Sequence, residues 1–345
     1  MASIFSHYLK KEQLYQYAVN IGQLASIEEA ELLEGRSKGI RIFRVRSASG
    51  LSFDLLPGKG MDIGALSFNG VNISLLTRNG ICSPENMVPA QGEFERYFSG
   101  GMLWTCGLKN VGPNYIDNDL RFHPFHGRLG MYPAEQSWKR CYFEDDEYYL
   151  TAGAVMRDTI IEGHNLQLTR EVSTTLSTPE IRICDTIENI DYNETQYLIL
   201  YHFNFGYPFL APGLKITFPE KRGPIIPGNA ASEDEISHWQ EISPPSENAT
   251  ENLYFHTLEN LHDQQAVVKL ENHELGLGVE IKYQTNYLPY LVQWKCMRAG
   301  EYALGIEPSN CFIGGMPAEI AAGRGRIIAP FEKHKIDIAL RFFQV

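Results

Sequence analysis

Three short segments bring together the residue types that proton transfer on a sugar requires. Tyr201-His202-Phe203-Asn204-Phe205-Gly206-Tyr207-Pro208 sets one titratable imidazole in an aromatic, strand-like run. Upstream lies His123-Pro124-Phe125-His126-Gly127-Arg128, and downstream Leu304-Gly305-Ile306-Glu307-Pro308-Ser309-Asn310. Alternate side chains of a strand share a face, so His202 stands beside Asn204 while Tyr201 and Phe203 point the other way. An imidazole and an amide on one face offer a proton donor and contacts for hydroxyls. Glu307 follows an apolar strand, where a carboxylate is costly unless it is paired or functional. Partial burial raises its pKa toward the range of a general base. The plain alternatives are a strand-end Glu paired with an Arg such as Arg298, and a His that is a satisfied core or edge residue.

His126 and Arg128 flank Gly127, and Gly127 and Gly130 permit close backbone approach to a ligand. Two histidines three apart, His123 and His126, invite a metal. Pro124 and the turn-like context keep them off a shared helix face, and no third ligand follows, so no metal is expected. Trp294, Trp104, Phe125 and Tyr207 suit stacking on the apolar face of a pyranose, although each alone also reads as core. The stretch from Gly100 to Gly112 packs four glycines around polar groups and reads as a ligand-facing loop plus strand. Within it, Lys109 and Asn110 are candidate hydroxyl or anion contacts. Asp62 either caps a turn or faces the cleft. No P-loop, GxGxxG, GxSxG or HExxH pattern is present, which counts against nucleotide-dependent chemistry and serine hydrolysis.

The elements that must position these groups are nearly all strands. Ile40–Arg46 alternates apolar and basic residues, Leu51–Leu56 follows a short turn, and Asp62–Phe68 runs into Asn69-Gly70, a strong hairpin signal. Ile181–Ile187, Gln196–Phe203, Val279–Tyr283, Tyr290–Trp294 and Ile336–Phe342 continue the pattern. Helical signal is confined to Lys10–Val19 and Phe94–Phe98. With 30 Gly and 18 Pro among many short strands, the chain predicts an all-β fold, a large β-sandwich. From about 219 to 250 it turns rich in Pro, Glu, Ser and Asn, which reads as a long surface loop within a single domain spanning 1–345.

The 345 residues are 43% hydrophobic and 21% charged, ordinary for a globular protein. A net charge of -12 repels nucleic acid and anionic membrane, so neither is expected as a partner. No apolar stretch approaches the roughly 20 residues of a membrane span. No signal peptide is read at the N-terminus, which predicts a cytoplasmic protein. The six cysteines form no CxxC pair and read as mostly buried, reduced thiols.

At the three opening segments the chain resembles the aldose 1-epimerase (galactose mutarotase-like) superfamily. It looks most like a divergent branch known as a domain of unknown function. The branch marks are Pro57-Gly58-Lys59-Gly60-Met61-Asp62-Ile63-Gly64, the Gly100–Gly112 run and His123–Glu135. The resemblance covers almost the whole chain. It implies a large antiparallel β-supersandwich with a sugar-binding cleft on one sheet. It implies His202 as catalytic acid, Glu307 as catalytic base and His126 as the second histidine that holds the substrate. The family's Arg before its first His has no clear counterpart, with Arg128 or Lys109 as candidate substitutes, and its substrate-binding Asp is not evident. Asn204, Trp294 and Asp62 complete the candidate binding residues.

The implied reaction is cofactor-free interconversion of sugar anomers by acid–base ring opening. It asks for a His202 pKa raised by carboxylate charge and a Glu307 still ionised. A non-catalytic sugar sensor on the same scaffold and an aldose–ketose isomerase are the alternatives. The expected partner is a small-molecule sugar or sugar derivative, and a homodimer stays open.

Overall fold

In a computed structural model the chain is described throughout except at Met1, Phe5, Ser6, Pro89, Gln91, 220–225, 228–237 and 259–260. Three antiparallel sheets carry the architecture. The largest has eight strands in the order Gln136–Glu144, Glu147–Thr159, Asn165–Thr175, Glu180–Asn189, Lys333–Gln344, Leu277–Gln284, Gln265–Asn272 and Lys215–Thr217. A seven-stranded sheet runs Leu103–Leu108, Thr195–Phe205, Ala303–Ser309, Tyr290–Cys296, Glu251–Thr257 and Ile226–Pro227, with Arg326–Ile328 also paired to Thr195–Phe205. Ala25–Glu31, Arg41–Ser47, Leu51–Leu56, Asp62–Phe68 and Val71–Asn72 form a five-stranded sheet. The all-β sandwich expected from the sequence is the fold observed. The predicted short helices are Lys11–Tyr17 and Phe94–Tyr97. Half of the expected 219–250 loop, at 220–225 and 228–237, lies outside the described residues.

Alternation explains the layering. In Asn165–Thr175 the buried positions are Leu166, Leu168, Arg170, Val172 and Thr174; in Glu180–Asn189 they are Ile181, Ile183, Asp185, Ile187 and Asn189. The apolar members join Ile199, Tyr201, Phe203 and Phe205 of the seven-stranded sheet in one core between the sheets. Burying such faces contributes roughly 25 cal/mol per Å² of apolar surface. The hairpin at Asn69-Gly70 has both residues at positive φ (50° and 79°), the geometry that favours this dipeptide.

Two of the inward positions carry charge. Arg170 and Asp185 face each other across paired strands and are wholly buried. Arg170 Nε and Nη2 donate to the two Asp185 oxygens at 2.9 and 2.7 Å, and its Nη1 donates to Asp62 Oδ1 at 2.7 Å. Tyr201 Oη donates to Asp185 at 2.7 Å, and Thr105 N and Oγ1 donate to Asp62. This cluster ties all three sheets together beneath the strand that carries His202.

Candidate active site

Thr195–Phe205 is buried on both faces. Its odd positions enter the core just described. Its even positions, Leu198, Leu200 and His202, face a second layer built from Trp104, Cys106, Val111, Val292 and the aromatic segment around Phe94 and Phe98. Strand Ala303–Ser309 pairs with it in antiparallel register, Phe203 opposite Ile306. One step along, His202 and Glu307 stand side by side, with His202 Nε2 at 3.1 Å from Glu307 Oε1. Both are nearly enclosed, at 7% and 2% exposure. Arg298, the alternative partner for Glu307, instead reaches toward Glu301.

Burial governs the protonation of this pair. It pushes the His202 pKa down to about 3, opposed only weakly by the Asn204 amide, and pushes the Glu307 carboxyl well above its usual range, with Glu251 adding to the rise. The expected directions are therefore reversed. Removing water penalises a lone imidazolium and a lone carboxylate alike, so a dry contact pair favours the neutral acid beside the neutral base. The two groups touch without a formed hydrogen bond, for Glu307 Oε1 has no hydrogen-bond partner. His202 Nδ1 and Asn204 Oδ1 have no hydrogen-bond partner, and Asn204 Nδ2 donates to the His202 carbonyl.

His126 reaches the same cavity from a loop. Its backbone is left-handed (φ 59°), followed by Gly127 at φ 75°. A Cβ on Gly127 would lie 2.3 Å from the Gly107 carbonyl oxygen, so the close approach demands glycine. Gly107 N donates to the His126 carbonyl, which fastens the loop to the Leu103–Leu108 strand. Gly112 N donates to His126 Nδ1 at 3.2 Å. The ring proton must then sit on Nε2, which makes that nitrogen a donor. Burial holds the His126 pKa down at about 3, so the ring stays neutral.

These groups line a cavity of about 850 Å³ together with Phe94, Phe98, Phe125, Tyr207 and Trp294. Phe98 and Trp294 each place a ring 5.5 Å from the His202 ring, and His126 lies 6.4 Å away. Among the expected residues, His202, Glu307, His126 and Trp294 are brought together here. Four are not on the cavity wall. Asn204 lies behind His202, wholly buried. Asp62 belongs to the Arg170 cluster. Lys109 spends its ammonium on Thr195 Oγ1 and the Gln196 carbonyl, at 2.9 and 2.7 Å. Arg128 donates to the Phe122 carbonyl and braces its own loop. Trp104, counted among the stacking aromatics, lies behind Phe94 and Phe98, with the buried Lys59 ammonium 4.2 Å from its ring centre. His123 turns away to Asp117, at 3.0 Å, and stacks on Tyr115. Among the described residues no three His, Cys, Asp or Glu side chains gather as metal ligands do.

Wall residues that sequence reasoning did not single out are Phe98, Arg78, Glu251 and Gly305's neighbours Ala303 and Tyr302. Gly305 lies against the pair: a Cβ there would lie 2.4 Å from Glu307 Oε1 and 2.9 Å from His202 Cε1. Glycine two residues before the carboxylate, on the same strand face, was the one available signal.

No functionally curated protein matches the chain. Among solved structures it is similar to a protein of Klebsiella pneumoniae subsp. pneumoniae MGH 78578 named provisionally as an aldose 1-epimerase. The two are 21% identical over 93% of this chain and 84% of that one, with a TM-score of 0.87. The galactose 1-epimerase of Lactobacillus acidophilus NCFM is 13% identical over 93% and 99% of the two chains, with a TM-score of 0.61. A galactose mutarotase-like protein of Clostridium acetobutylicum gives 14% identity, 94% and 100% coverage and a TM-score of 0.59. Likeness at these identities shows the fold, which is the galactose mutarotase-like β-sandwich. Residues 37–342 match the family described as a domain of unknown function, DUF4432, and the chain belongs to that family.

Proposed function

We propose that the protein is an aldose 1-epimerase that interconverts sugar anomers by ring opening, with His202 and Glu307 as its proton-transfer pair. The observation that carries this reading is a buried imidazole and carboxyl in contact at the floor of a cavity with aromatic walls. A binding protein needs neither group in that state, whereas ring opening needs one proton removed and one supplied.

Without ligand the proton rests on Glu307 beside a neutral His202, the arrangement that dry surroundings favour. A sugar hydroxyl at the carboxyl restores some of the lost solvation and moves that proton across to His202. Glu307 then removes the proton from O1 as the C1–O1 double bond forms. The C1–ring oxygen bond breaks with its electrons moving to the ring oxygen, which takes the His202 proton. Rotation about C1–C2 and the reverse transfers close the ring on the other face. His126 Nε2–H, neutral and aimed by its backbone contact, donates to a substrate oxygen. Phe98 and Trp294 keep water away and offer ring faces to the pyranose. No metal or organic cofactor enters these steps.

Exchange between anomers, followed by NMR over a panel of aldoses, tests the reading. Wild type should exchange one or more sugars well above the buffer rate, and Glu307→Gln should lower kcat by about 10²–10⁴-fold with the fold intact. No enhancement by wild type, or full turnover by Glu307→Gln, would refute it.

A further inference from the structure

The cavity is longer than one sugar ring requires. Glu307 marks its inner end. Gly305 and Ala303 follow on the same strand face, so four residues of floor extend about 13 Å outward. Neither has a side chain that rises into the space. The neighbouring strands keep step: Trp294 pairs with Gly305 and Cys296 with Ala303, while Leu253 pairs with Trp294 and Glu251 with Cys296. Trp294, Cys296, Ala303, Leu253 and Glu251 line the cavity, as do Gly300, Glu301 and Tyr302 beyond the strand end. The facing wall is built from Leu75, Leu76, Arg78 and Asn79, with Tyr207. A volume of about 850 Å³ stands toward the top of the roughly 300–1,000 Å³ that small-molecule pockets occupy.

The outer half has its own chemistry. Tyr207 shows 75% of its surface and Leu76 67%, so an aromatic and an aliphatic face stand open at the rim. Tyr302 is pinned by a 2.6 Å hydrogen bond from its hydroxyl to the Ser243 carbonyl, which makes its ring a fixed wall. The charged wall groups are Glu95, Glu251 and Glu301 against Arg78. Arg78 is engaged already, at 3.0 Å from Glu301 Oε1 and 3.2 Å from the Gly300 carbonyl. Carboxylates accept hydrogen bonds from hydroxyls and repel phosphate, sulfonate or carboxylate. Open aromatic faces beside acceptors suit a second sugar ring.

We infer that the outer half of the cavity is a second saccharide subsite, and that the preferred substrate is a neutral reducing disaccharide. Its reducing ring lies over His202 and Glu307, and its second ring lies between Tyr207 and Tyr302. This rests on the mutarotase reading above.

The test compares anomeric exchange of glucose, galactose and mannose with that of maltose, cellobiose, lactose and mannobiose, with glucose 6-phosphate as the anionic control. Wild type, Tyr207→Ala and Leu76→Ser are measured in parallel; both substitutions fall on exposed side chains. At least one disaccharide should show a kcat/KM tenfold or more above its reducing-end hexose. Both variants should lower that ratio about fivefold, and glucose 6-phosphate should be the poorest substrate. Hexose exchange equal to or faster than disaccharide exchange, or a ratio unmoved in both variants, overturns the subsite and leaves the mutarotase reading standing. No Glu307-dependent exchange with any sugar overturns both.

Discussion

Substituting Gly305 by Ala would place one methyl group under the proposed proton-transfer pair. The backbone at Gly305 is outside the left-handed region, so alanine meets no conformational penalty there. The methyl carbon would sit 2.4 Å from Glu307 Oε1 and 2.9 Å from His202 Cε1. Ordinary contact begins near 3.4 Å, so the carboxyl oxygen must retreat by about 1 Å and the imidazole by about half that. The retreat opens the 3.1 Å contact between the two groups. A misplacement of about 1 Å costs on the order of 10²-fold in rate. Overpacking adds a stability loss of about 1–3 kcal/mol, which a folded domain tolerates. Gly305→Ala should therefore lower kcat/KM for anomeric exchange about 100-fold while circular dichroism and a thermal melt report a folded protein. The ring-nitrogen chemical shifts of His202 should move as its contact with Glu307 is broken. A folded Gly305→Ala variant with turnover within twofold of wild type would refute the geometry argued here.

Two further predictions concern stability. Arg170→Met leaves Asp62 and Asp185 buried without their shared cation and should cost about 3–5 kcal/mol in urea unfolding; a loss below about 1 kcal/mol would show that the cluster is not held as described. His126 is neutral in the fold, with its pKa depressed to about 3, but titrates near 6.5 when unfolded. Its contribution is thus fully present above pH 6.5 and is lost as the pH falls toward 3. Between pH 6.5 and 5 wild type should lose about 2 kcal/mol relative to His126→Asn, and parallel pH profiles for the two proteins would contradict the assignment.

The strands were legible because their burial alternates. Ile181–Ile187 and the later half of Asp62–Phe68, from Gly64, repeat every second residue, and the Asn69-Gly70 turn announces its own hairpin. Arg170 and Asp185 occupy inward positions of alternating strands, a signal of a buried ion cluster that the sequence reading did not use. The contact between His202 and Glu307, the proposed proton-transfer pair, was foreshadowed because imidazole and carboxyl each interrupt an apolar strand. Its charge state was not, because that depends on how completely the segment around Phe94 and Phe98 excludes water. Lys109, Arg128 and Asp62 were misplaced for one common reason. Type and local sequence give the reach of a charged side chain but not which carbonyl or counter-ion captures it.

The strand Thr195–Phe205 carries two unrelated specifications on its two faces. Tyr201 is held from behind by Asp185 and, through it, by Arg170 and Asp62, while His202 looks into the cavity from the front. A slip of one residue in pairing would exchange these faces, sending an imidazole into the ion cluster and a phenol to the sugar. The cluster therefore acts as a register lock. It also separates two kinds of inheritance. Substitutions among Leu76, Tyr207, Leu253 and Tyr302 can retune what the cavity accepts without disturbing the charges that align the strand, so one frame can serve many ligands.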